Sequence, residues 1–191
     1  FRNKLDIQFE HMGDYPPYSD LPASGQFHYA HEWSLNLYNR LKDSSYDICH
    51  FQDNNANGFV SAMAKKTGLH FRNTLFTCTV HSPDQWIRRA NRQYSHAGGK
   101  DLHMDYMEKQ AAEMCDHIVA PVNYMLSYVK GLGWEIGDKA RVIPYLIDDI
   151  QKAPQRQFNQ KHLIFFGRLE TRKGLEIFVN SLLALSLKKD F

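Results

Sequence analysis

Short apolar runs alternate with segments of helical periodicity along most of the chain, and this alternation restricts the fold more than any other feature. Tyr46 to Phe51, Thr74 to Val80 and His117 to Ala120 are apolar runs bounded by turn-forming residues, the pattern of short strands. Between them, apolar residues recur at spacings of three and four. Phe27 to Leu41 carries Phe27, Ala30, Trp33, Leu37, Tyr38 and Leu41 in this way, so one face of that helix is buried. Ala56 to Thr67, Asp105 to Met114 and Val122 to Leu132 read as further helices, and Leu5 to Glu10 and Arg141 to Tyr145 as further strands. Strands alternating with helices of about 10 to 15 residues predict a parallel sheet covered on both faces, the α/β class with a Rossmann-like, doubly wound sheet.

A chain of 191 residues buries one sizeable core and part of a second. Asp14 to Gly25 is rich in turn residues and reads as a loop, and Ile147 to Lys161 has neither helical nor alternating apolar pattern. The expected organisation is therefore a domain over residues 1–150, a linker over 151–161 and a single strand-helix unit over 162–191. That last unit is too short to enclose a core, so it packs on the first domain or opens a second. The start at Phe1 and the stop just after an amphipathic helix lead us to expect a fragment.

Charge and cysteine content exclude several functions. Lys and Arg number 23 against 21 Asp and Glu, and no basic run is interleaved with aromatics, which argues against nucleic-acid binding. No apolar run approaches the roughly 20 residues that cross a bilayer, so no transmembrane segment is expected. Cys49, Cys78 and Cys115 are odd in number and widely spaced, the pattern of buried thiols in a reducing compartment. Cys78 and His81 point to opposite faces of one strand and cannot share a metal, so no metal site is expected.

In an open parallel sheet, ligands bind beyond the carboxyl ends of the strands. Those ends carry Asp53 and Asn54, then His81 and Ser82, then Pro121, then Gly167 and Arg168. Asp53 also fits a helix N-cap, with Asn54 and Asn55 as alternatives. Ser82 lies in no G-x-S-x-G elbow, and neither a G-x-G-x-x-G nor a Walker glycine-lysine loop occurs in the chain. His96 and His103 are expected to be solvated, and Trp33, Trp86 and Trp134 to form core or pocket wall. After Gly167, the cations Arg168, Arg172 and Lys173 crowd the start of a helix whose free N–H groups favour anions. A phosphate or diphosphate would satisfy all three. In the competing reading, Arg168 pairs with Glu170 or Glu176, and Arg172 and Lys173 form a solvated face.

Four blocks then stand out in order: Tyr46-Asp47-Ile48-Cys49-His50-Phe51-Gln52-Asp53, Phe76-Thr77-Cys78-Thr79-Val80-His81, Cys115-Asp116-His117-Ile118-Val119-Ala120-Pro121 and Phe166-Gly167-Arg168-Leu169-Glu170-Thr171-Arg172-Lys173-Gly174. Together they resemble the retaining glycosyltransferases of the glycogen-synthase-like kind, family 4. The resemblance implies a GT-B plan, two Rossmann-like halves facing across a cleft, with residues 1–150 as the acceptor half and 162–191 as the opening of the donor half. It implies transfer of a sugar from a UDP-, ADP- or GDP-linked donor to a saccharide or other hydroxyl acceptor with retention of configuration, and it calls for no cofactor and no metal. Arg168 and Lys173 match the pair on the donor diphosphate, and His81 the histidine beside the donor sugar. Asp53, Asn54, Ser82, Pro121, Gly167 and Glu170 complete the expected substrate-binding set.

Such enzymes work in the cytoplasm, often at the inner membrane face, although no amphipathic anchor is evident here. The family's opening strand with its glycine-rich loop and its later acidic pair are not in this sequence, so residues 1–191 alone are expected not to turn over. Two rivals remain open at this point: a non-catalytic sugar- or nucleotide-binding module, and a nucleotide-sugar epimerase on the same plan.

Overall fold

The computed structural model describes residues 8–11, 29–94, 98–146 and 163–188. Along the chain run α1 (Tyr29–Leu41), β1 (Ile48–Gln52), α2 (Phe59–Lys66), β2 (Leu75–Thr79), α3 (Asp84–Ala90), α4 (Gly99–Glu113), β3 (His117–Ala120), α5 (Asn123–Gly131), β4 (Ala140–Val142) and α6 (Leu175–Ser186). The four strands form one sheet in the order β1-β2-β3-β4, and each neighbouring pair is parallel. This is the Rossmann-like α/β arrangement that the alternation predicts. Gln52 is level with Thr79, and Thr79 with Val119, so the loops leaving β1, β2 and β3 open along one edge.

Burial alternates strictly along β1, with Cys49 and Phe51 inside and Ile48, His50 and Gln52 outside. Phe76 and Cys78 of β2, with Ile118 and Ala120 of β3, continue the inner face against Ala62, Ala112, Met125 and Val129 of α2, α4 and α5. Phe51 and Phe76 meet edge to face with ring centroids 5.1 Å apart. Through Ala62, Ala112, Met125 and Val129, helices α2, α4 and α5 pack on the face that carries Cys49, Phe51, Phe76, Cys78, Ile118 and Ala120. The strand order gives the reason, because right-handed crossovers that always step the same way deposit the connecting helices on the same side.

Local chemistry sets the helix starts. Ser34 of α1 donates its hydroxyl to the Asn57 carbonyl at 2.9 Å and accepts the Val60 N–H at 2.9 Å, so a neighbouring helix satisfies the first turn of α2. Gly58, just before α2, is pressed against Phe51: an added Cβ would lie 2.7 Å from the ring. Phe51 is itself locked in the core, so Gly58→Ala is expected to cost about 1–3 kcal/mol in urea unfolding, the scale of overpacking. The three cysteines are free and buried. A hydrogen bond with Cys115, added to burial, pushes the Cys78 thiol well above its ordinary range and removes it as a nucleophile.

Several boundaries differ from expectation. Helix α3 was not expected, since its seven residues are too few to show a period. Helix α4 starts at Gly99 rather than Asp105, and β4 is shorter than Arg141 to Tyr145. Residues 8–11 form no strand, and 5–7 lie outside the described residues. So do the loop Asp14 to Gly25, His96 and the linker Ile147 to Lys161. The strand expected at His162 to Phe166 is absent over 163–166: no ladder partner lies beside it among the described residues, and Phe166 is 99% exposed. No helix among the described residues is long and apolar enough to cross a membrane.

Candidate functional site

The loops beyond β1 and β2 are laced together by one carboxylate. Asp53, 0% exposed, follows β1 and continues the ladder by donating its N–H to the Thr79 carbonyl at 3.0 Å. Its Oδ2 accepts the backbone N–H groups of His81 and Ser82, both at 3.0 Å. The N-cap role that the sequence allowed is not what this side chain does: Asp53 precedes the short turn Asn54–Ala56 but makes no cap bond to it. The two N–H groups of the opposite loop outcompete that turn because they arrive aligned on one oxygen.

His81 Nδ1 lies 3.7 Å from Asp53 Oδ1 and 3.0 Å from the Ser82 hydroxyl, and Asn54 Nδ2 donates to the Ser82 carbonyl at 3.4 Å. Interaction with the Asp53 carboxylate raises the His81 pKa above its ordinary 6.5, against burial and the charge of Arg172, which lower it. A histidine raised in the folded state stabilises the fold below its unfolded pKa, and the contribution is lost as pH rises through the folded value. Asp53→Asn keeps an acceptor for the two N–H groups and removes the charge. It should therefore bring the His81 titration, followed by NMR, down toward or below 6.5; an unmoved midpoint would refute the pairing.

The opposing wall comes from Gly167 to Lys173. Glu170 holds two cations, Arg168 Nε at 2.9 Å and Arg172 Nε at 2.6 Å. Arg168 is 71% exposed and Arg172 only 12%. The Arg172 guanidinium sits over the Trp86 ring, 5.8 Å from its centre, and its backbone N–H donates to Asn91 Oδ1 at 3.2 Å. The competing reading thus holds for Arg168 with Glu170, while Arg172 is no solvated cation and Glu176 pairs instead with Arg92 at 3.3 Å. Gly174, at φ 79°, takes the left-handed turn that ends Thr171–Lys173 and starts α6.

Between the walls lies a cleft of about 460 Å³. Asn54, His81, Ser82, Trp86 and Ile87 line one side, and Arg168, Arg172 and Lys173 the other. Among the described residues its lining contains three cations, two of them bridged by Glu170, and no carboxylate, at the strand edge where open sheets bind ligands, so it suits an anion. Asp53 lies buried behind His81, Gly167 and Glu170 shape the cation turn without lining the cleft, and Pro121 stands apart in the turn after β3. Sequence reasoning placed Trp86 only generically and missed Ile87, because the helix that presents them is too short to leave a pattern.

The sequence profile of Glycosyltransferase Family 4 matches residues 3–150, more than half of the chain. The chain belongs to Glycosyltransferase Family 4. Neither a curated protein nor a solved structure matches it. The family 4 match contains Asp53, Asn54, His81, Ser82, Trp86 and Ile87 and ends before the cation turn. Glycosyltransferase-type chemistry on sugar-related substrates is accordingly what this domain serves.

Proposed function

We propose that this family 4 domain belongs to a retaining glycosyltransferase that moves a sugar from a nucleotide-sugar donor to a hydroxyl acceptor. One observation carries the reading: Arg168, Arg172 and Lys173 converge on the cleft whose other wall holds His81, Ser82 and Asn54. When the bond from the anomeric carbon to the diphosphate breaks, negative charge grows on the leaving oxygens. Fixed cations aimed at those oxygens stabilise the transition state more than the ground state.

In this reading Arg168 and Lys173 hold the diphosphate, and Arg172, already committed to Glu170 and Trp86, fixes the turn that presents them. His81 stands beside the donor sugar with Asp53 behind it. Residues 1–150 form the acceptor half and 162–191 open the donor half, joined by the linker 151–161. The acceptor attacks on the face the diphosphate leaves, and the leaving phosphate takes the acceptor proton. The work is cytoplasmic.

The test is release of nucleoside diphosphate by the protein in its natural full length from UDP-, ADP- and GDP-sugars, without added metal. Release from one donor class, dependent on acceptor, supports the transferase. A donor sugar isomerised while still linked to its nucleotide would instead indicate an epimerase, and no turnover of any donor a binding module.

A further inference from the structure

A second buried carboxylate holds the site loops from behind. Glu108 of α4 is 0% exposed and lies outside the cleft lining. Its Oε1 accepts the Asn55 N–H at 3.0 Å, and its Oε2 accepts the Asp84 N–H at 2.8 Å. Asn55 follows the cleft residue Asn54 and sits in a left-handed conformation at φ 62°. Asp84 opens α3, which carries Trp86 and Ile87, and it stands two residues beyond Ser82. One side chain therefore bonds both loops that Asp53 also joins.

Holding a charge there is costly. Burial pushes the Glu108 carboxyl well above the usual carboxylate range, the Asp84 N–H pulls it back, and the Asp53 charge raises it further. Around Glu108 the inner face of α4 is otherwise apolar, with Met104, Met107, Ala111 and Ala112 buried. An apolar residue would fill that place without the desolvation penalty but would leave two backbone donors unsatisfied.

We propose that Glu108 is a positioning residue: by clamping Asn55 and Asp84 it sets the spacing of the two loops, and with it the place of Asn54, His81 and Trp86 around the cleft. Its part in turnover rests on the transferase reading; its part in loop spacing does not.

The experiment replaces Glu108 with its isostere, Glu108→Gln, in the natural full-length protein. Amide hydrogen exchange is followed at His81 and Ser82, neither of which bonds to Glu108. If Glu108 sets the loop spacing, these two amides exchange at least about 10-fold faster in the variant while the strand amides of β2 and β3 are unchanged. In the same variant kcat falls about 10- to 10²-fold, with donor KM changed much less, as expected when aligned groups are displaced. Acceleration confined to Asn55 and Asp84, with kcat retained, would reduce Glu108 to local packing and overturn the proposal. Should the natural protein turn over no donor, the transferase reading fails while the exchange result still decides the loop spacing. If the variant does not fold, the natural protein gives the answer: the Asn55, Asp84, His81 and Ser82 amides then open as one unit, and separate openings overturn the proposal.

Discussion

Arg168→Ala and Lys173→Ala, each made in the natural full-length protein, are expected to lower sugar transfer by about 10²-fold or more. That is the scale of losing one donor aimed at developing charge. Both residues line the cleft, and neither is buried in a structural role: Arg168 is 71% exposed and held by a single carboxylate, Glu170. Removing either should therefore leave folding intact and act on kcat, because the charge they face grows only as the diphosphate departs. Steady-state kinetics with the donor identified by the release assay checks this. Kinetics unchanged in either variant would return that residue to a solvated surface role. Arg172→Ala should behave differently, since it removes the contact with Trp86 and one arm of the Glu170 bridge and so loosens the whole turn.

The largest expected effect on stability is at Arg88. This side chain is 9% exposed, bonds both Asp105 oxygens at 2.7 and 2.8 Å, contacts Asp84, and lies 4.0 Å from Asp101. It pins α3 to α4 and thereby holds Trp86 over the cleft. Arg88→Met fills much of the same volume but leaves those carboxylates facing one another. Breaking such a partly buried network should cost about 3 kcal/mol, the low end for buried pairs, because the acids retain some contact with water. For a chain of this size that is a fall in Tm of about 6–12 °C in thermal unfolding. A Tm within a degree of the natural protein would show that the cluster contributes nothing.

The parts of the fold that were legible in the sequence are those whose signal is periodic. Cys49 and Phe51, Phe76 and Cys78, Ile118 and Ala120 lie two residues apart because alternate strand positions face the same side, and all six are buried. Leu37, Tyr38 and Leu41 pack on that core with the three-four spacing of a helix face. Residues 163–166 carry the composition of a strand yet form none among the described residues, since a strand exists only when another supplies its hydrogen bonds.

Of the residues that the strand-end rule and the density of charge single out, Asn54, His81, Ser82, Arg168 and Lys173 line the cleft, and Asp53 lies buried behind it. Sequence reasoning missed α3 and left the partners of two charges open. Asp53 read as a cap because capping is a local option, whereas its partners lie 28 and 29 residues away. The competing reading put Arg172 on a solvated face because nothing nearby in sequence announces Trp86 or Asn91, both of which reach it across the fold. Glu108 gave no signal at all, being one acidic residue among several on a polar-looking helix.

By itself, then, the sequence determined the α/β class, most of the run of strands and helices, and the strand ends that border the cleft, because backbone geometry repeats every two or 3.6 residues and leaves that repeat in the order of residues. Only the tertiary structure decided which charges are spoken for, which carboxylates are buried and what faces His81, because hydrogen bonds and desolvation depend on neighbours that folding brings from far along the chain.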